Sequence, residues 1–120
     1  MPISIAQNHA DRLICVSVAE SWAAAQKNGK DQRYLFECAR RAWGVNKERA
    51  ERADYVLAID ADKKAVAAFK PIGPWFECPD EPGRYMFYAD PNGEPEILKR
   101  YGQVTIDCGQ LGFCYVNNPV

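Results

Sequence analysis

Hydrophobic and polar positions change their spacing several times along this chain. "RLICVSV" (12–18) is an almost unbroken apolar run rich in Ile and Val, bounded by charge before it and by "AES" after it, and it predicts a largely buried strand. "AESWAAAQKNGK" predicts a short helix or loop that stops at Asn28-Gly29. Over residues 31–43 the period becomes helical: Leu35, Cys38, Ala39 and Ala42 share one face, and Arg33, Glu37, Arg40 and Arg41 the other. Asp31 suits the N-cap of that helix and Gly44 its end. A second short helix, "KERAERA", follows with Asn46 as cap and Val45 and Ala50 spaced as a hydrophobic staple, its inner side formed by Ala50 and Ala53.

From Tyr55 onward the pattern is that of strands. "YVLAID" and "AVAAFK" flank the polar "ADKK", which predicts a β-hairpin whose tip carries Asp60 and Asp62. "PIGPWFECPDEPG" holds so much Pro and Gly that it predicts an irregular loop. "RYMFYAD" reads as an aromatic strand, "PNGEP" as a turn, "EPEILKRYG" as a helical turn, and "QVTID" and "FCYVN" as two further short strands. Together these predict an α+β domain over residues 12–120, with two short helices before the second strand and a strongly curved mixed sheet or small barrel, preceded by a flexible N-terminus at 1–11.

Composition narrows the class. With 120 residues, 48% hydrophobic and 26% charged, the chain has the makings of one core and is no disordered tail. No stretch reaches the roughly 18 to 20 continuous apolar residues of a membrane span. "MPISIAQNHADR" also lacks the basic start and apolar run of a signal peptide, so a soluble, cytoplasmic protein is expected. The five cysteines, an odd number without a C-x-x-C pair, are expected to be reduced.

The net charge of −1 opposes strong nonspecific binding to a polyanion, but the charge is unevenly spread. Residues 1–76 hold 12 Lys and Arg against 9 Asp and Glu, a balance of +3; residues 77–120 hold 3 against 7, a balance of −4. A local basic face is therefore compatible with an acidic total.

Candidate chemistry is mostly excluded by what is missing. His9 is the single histidine, too little for a zinc site or for activating a cysteine nucleophile. Asp60 and Asp62 with Lys63 or Lys64 would suit a metal-dependent nuclease only if the hairpin tip were catalytic. No phosphate-binding or dinucleotide-binding glycine motif is present, and no cofactor is implied.

What remains is cations interleaved with aromatics. Arg40, Arg41, Trp43, Lys47, Arg49 and Arg52 form one group; Lys70, Trp75, Phe76, Arg84 and Tyr85 form another if the proline-rich loop folds back. Basic side chains neutralise phosphates and an indole face stacks on an unpaired base. Glu37, Glu48 and Glu51 interleave the same cations, however, and the alternative is a solvated surface of paired charges with Trp43 as a core lid.

The run "LFECARRAWGVNKERAERADYVLAI", followed by "AVAAFKPIGPWF", "RYMFY" and "RYGQVTIDCGQLGFCYVN", resembles a bacterial domain family found alongside GIY-YIG nuclease domains of the LEM-domain nuclease type and similar to PUA-like folds of the EVE, ASCH and YTH groups. The matching positions are Trp43, Val45, Arg49, Ala50, Ala53, Tyr55 to Ala58, Trp75, Arg84 and Phe87, and the resemblance runs over roughly residues 12–118. "CGQLGFCYVN" departs from the family's more polar closing stretch, and these 120 residues contain no GIY-YIG segment, so nuclease activity does not carry over.

The resemblance implies a small barrel that takes a base, often a modified one, between aromatic walls. It would use Trp43 and Trp75 as stacking faces and Arg40, Lys47 and Arg49 as phosphate contacts, with Arg41, Arg52, Lys70 and Arg84 as further basic candidates. The expected function is a noncatalytic nucleic-acid-binding module. The alternative is a protein-interaction or regulatory domain, of the kind a mobile element or defence system carries. It would work through the acidic residues Glu77, Asp80, Glu81, Asp90, Glu94, Glu96 and Asp107. Neither reading involves a membrane.

Overall fold

The computed structural model describes residues 11–27, 29, 36, 39, 43–45, 47–102, 105–108 and 112–116. Two apolar runs make its centre. β1 (Leu13–Ser17) and β2 (Tyr55–Ile59) lie side by side in parallel, Leu13 opposite Tyr55 and Ser17 opposite Ile59. The register is set where both strands begin. The Asp54 carboxylate accepts from the Arg12 backbone N–H at 2.8 Å and from its guanidinium at 3.4 Å, while the Asp54 N–H donates to the Arg12 carbonyl at 2.7 Å.

Each central strand is buried on both faces, which is why their sequences are continuous rather than alternating. Ile14, Val16, Val56 and Ala58 point into one core; Leu13, Cys15, Leu57 and Ile59 point into the other. β3 (Ala65–Phe69) pairs antiparallel with β2, and β6 (Phe113–Val116) pairs antiparallel with β1, giving the order β3-β2-β1-β6. This sheet is mixed, as expected, but open: β3 and β6 are its edges and it does not close into a barrel. Burial by elements on both sides takes the place of closure.

The first core is capped by α1 (Ala19–Lys27), by the short α2 (Lys47–Glu51) and by a separate hairpin, β4 (Phe76–Cys78) with β5 (Glu81–Met86). At its heart Phe87 meets Trp75 at 4.9 Å between ring centroids, Phe36 at 6.0 Å and Phe69 at 6.3 Å, in tilted and edge-on arrangements that aromatic pairs favour. Val45 and Ala50 are both buried there, consistent with their staple spacing. The second core is covered by α3 (Pro95–Tyr101), whose Ile97 and Tyr101 stand one turn apart and are buried. The Tyr101 hydroxyl donates to Asp11 at 2.6 Å, and Arg100 pairs with the same carboxylate.

Several expectations change. Asp11, placed in a flexible N-terminus, is held by Arg100 and Tyr101, and residues 1–10 lie outside the described ones. Of the helix expected over 31–43, Phe36 and Ala39 are helical and buried, while Asp31 and most of its turns lie outside the described residues, as does the Asn46 cap. The proline-rich loop contains β4 and leads into β5, because Phe76 finds Met86 across the turn. Residues 105–108, from "QVTID" and its continuation, form no strand; the Ile106 N–H donates to the Lys63 carbonyl at 2.7 Å. A radius of gyration of 13.2 Å is that of one domain of this length. No helix among the described residues is long and apolar enough to cross a membrane.

The β2–β3 hairpin forms as predicted, and Asp60 builds its tip. One carboxylate oxygen accepts from the N–H groups of Asp62 at 2.9 Å and Lys64 at 3.1 Å. This organises Lys63 into the left-handed region, at φ 64°, where a side chain is disfavoured. Lys63→Gly relieves that strain and forfeits an exposed pair with Asp107, worth only a few tenths of a kcal/mol. Stability to urea is expected to rise by up to about 1 kcal/mol; a clear loss would contradict this account of the turn.

Candidate functional site

The edge strand β6 presents alternate side chains to opposite faces of the sheet. Phe113 and Tyr115 lie on the helix-covered side, with their rings edge-on at 6.1 Å. Cys114 lies on the other. Phe113, Cys114 and Tyr115 are half-buried there, while Val116 is buried.

Trp43 joins this edge to the hairpin. Its backbone makes an isolated antiparallel bridge with Tyr85, through N–H to carbonyl bonds of 3.0 and 2.9 Å. Its indole N–H donates to the Ala39 carbonyl at 2.7 Å, which fixes the ring. Gly112 stands at φ 79°, where glycine is at ease, and a methyl group there would meet Cζ3 of the indole at 3.8 Å. Trp43, Tyr85, Phe113 and Tyr115 are thus four half-buried aromatics on one side of the sheet.

α2 brings its cations to the same place. The Arg49 guanidinium lies over the Tyr115 ring at 3.9 Å from the centroid, a cation–π contact in which the planar group stacks on the aromatic face. Arg52 is exposed just beyond the helix, and Arg84 is exposed next to Tyr85. Lys47 is engaged by Glu51 at 2.6 Å, so its charge is largely offset, as the interleaved glutamates suggested.

The remaining candidates separate. Trp75 is 1% exposed and packed against Phe87; its ring belongs to the core and offers no face to a base, which corrects its assignment as a stacking wall. The two tryptophans therefore do not face a common hollow. Lys70 is exposed at the end of β3, the edge strand opposite β6. Arg40 and Arg41 lie outside the described residues. Phe113 and Tyr115 were missed, because nothing in "FCYV" says that it lies at an edge beside α2.

A second exposed surface lies on the hairpin. Ile72, Phe76 and Tyr88 are 65, 36 and 56% exposed, the last two with rings 5.6 Å apart, and the Ile72 N–H donates to the Tyr88 carbonyl at 2.7 Å. Glu77, Asp80, Glu81 and Asp90 are exposed on the same segment.

On the far face of β6 three cysteines gather. Cys114 stands opposite Cys15 in the strand register, and its sulfur is 3.9 Å from that of Cys108. The Cys108 sulfur lies 3.5 Å from the Cys15 carbonyl oxygen. Hydrogen bonding with Cys108, then with Cys15, stabilises the Cys114 thiolate and holds that thiol below its usual range, although burial and the Asp107 carboxylate push it up. Cys15 and Cys108 are pushed up in turn, by hydrogen bonding with Cys114, by burial and by neighbouring charge. Cys108 also lines an open cleft of about 170 Å³ at the carboxyl ends of β1 and β2, with Ser17, Asp60, Lys63 and Asp107. Among the described residues no group of three His, Cys, Asp or Glu is placed to hold a metal ion.

No protein-family model, curated protein or solved structure matches this chain.

The packing of Trp75 yields a direct expectation. Trp75→Ala opens a cavity beside Phe87 and lowers stability by about 3 to 5 kcal/mol in chemical denaturation. A loss below about 1 kcal/mol would mean that the ring is not core.

Proposed function

We propose that this domain is a noncatalytic nucleic-acid-binding module that takes unpaired bases on the face formed by Trp43, Tyr85, Phe113 and Tyr115. The observation that carries the reading is the Arg49 guanidinium stacked at 3.9 Å over Tyr115, which places a flat cation in continuity with aromatic surface. Bases stack on guanidinium planes as well as on rings, and the exposed Arg52, just after α2, and Arg84, beside Tyr85 in sequence, would serve as phosphate contacts. This reading keeps Trp43 and Arg49 from the sequence, drops Trp75, and replaces an enclosed pocket with an open platform. The PUA-like resemblance is consistent with base recognition.

Trp43→Ala and Tyr115→Ala are each expected to weaken binding to short single-stranded oligonucleotides by roughly 1 to 3 kcal/mol, read by fluorescence anisotropy at two salt concentrations. Arg52→Ala is expected to weaken all sequences alike and to flatten the salt slope by about 0.7. Unchanged affinity in both aromatic variants would remove the proposal. A panel with modified and unmodified bases tests whether a particular base is preferred.

A second reading is favoured by the Ile72, Phe76 and Tyr88 patch with its acidic neighbours. An apolar centre beside carboxylates suits a protein segment that carries an apolar anchor flanked by Lys or Arg. Selection from a random peptide library is expected to return such sequences, with binding lost in Tyr88→Ala and kept in Trp43→Ala. Acidic or uncharged winners would count against it.

A further inference from the structure

The thiol cluster on the inner face of β6 carries chemistry that neither binding surface uses. We propose that Cys114 and Cys108 are a peroxide-reactive dithiol, in which Cys114 is the attacking sulfur and Cys108 the resolving one. Three observations support it. The two sulfurs are 3.9 Å apart and belong to half-buried residues, whereas Cys15 and Cys78 are buried. Cys15, the third sulfur of the group, is buried at the sheet centre, and its thiol helps to stabilise negative charge on Cys114 from the protein side. Cys108 lines the open cleft at the carboxyl ends of β1 and β2.

The reaction balances with hydrogen peroxide as the oxidant. The Cys114 thiolate attacks one peroxide oxygen; the O–O bond breaks, and hydroxide leaves and takes up a proton to become water. The product is a sulfenic acid on Cys114. Cys108 then attacks that sulfur, an S–S bond forms, and the hydroxyl departs with the Cys108 proton as a second water. Two thiols have lost two electrons, and one peroxide has become two waters.

Side-chain rotation has to bring the sulfurs from 3.9 Å to the roughly 2.05 Å of a disulfide, and the residues are six positions apart, one in β6 and one in the irregular segment 105–108. Cys15 stands opposite Cys114 in the strand register, but it is fully buried at the sheet centre while Cys108 lines the open cleft, which favours Cys108 as the resolving thiol. Cys78 is buried in the hairpin, remote from the group in the fold.

The test uses the unmodified protein. After treatment with hydrogen peroxide at neutral pH, two of the five thiols are expected to disappear in a maleimide count, and peptide mapping by mass spectrometry is expected to show a Cys108–Cys114 link that dithiothreitol removes. In Cys108→Ser the sulfenic acid on Cys114 is expected to accumulate and be trapped by dimedone. In Cys114→Ser thiol loss is expected to slow at least tenfold. A Cys15–Cys114 link, oxidation spread evenly over all cysteines, or an undiminished rate in Cys114→Ser would each overturn the assignment. Because mapping of the wild-type protein needs no variant, a folding defect in either substitution leaves the proposal testable.

Discussion

Parallel pairing of β1 with β2 is the constraint on which everything else is arranged. Two strands that run side by side in the same direction cannot be joined by a tight turn, so residues 18–54 must leave the sheet, cross it and return. That crossover places α1 and α2 on one face, which seals the first core. The other face is left for α3, which closes the second. Arg12 and Asp54 hold the register at the head of both strands, and a slip there would exchange the two cores residue by residue.

The consequence reaches furthest at β6. It is the last of the described strands in sequence but the neighbour of the first of them, and it therefore inherits an alternation with chemically different sides. One side receives Phe113 and Tyr115 and meets Arg49 from the crossover; the other receives Cys114 and meets Cys15 from the sheet centre and Cys108 from the segment before. A basic aromatic face and a thiol cluster are thus back to back across one strand. Neither would exist if β6 paired with β3 instead.

Charge follows the same division. The cations of α2 are partly spent: Lys47 on Glu51, Arg49 on an aromatic ring. Glu77, Asp80, Glu81 and Asp90 are exposed on the segment that also carries the exposed Ile72, Phe76 and Tyr88.

The sequence by itself determined the elements whose cause is local. The continuous apolar runs of β1 and β2, the Asp60 turn, the staple of Val45 and Ala50 and the helical spacing of Ile97 and Tyr101 all follow from contacts within a few residues or from burial that any partner would supply. An α+β class with a mixed sheet was legible for that reason. Tertiary structure alone decided that the sheet stays open, that Trp75 is core while Trp43 remains half-exposed, that residues 105–108 form no strand, and that Cys15, Cys108 and Cys114 meet. The physical reason is the same in each case: hydrophobicity prescribes that a side chain be covered, but not by what, and an edge, a lid or a cluster of sulfurs is defined only by which distant strand arrives beside it.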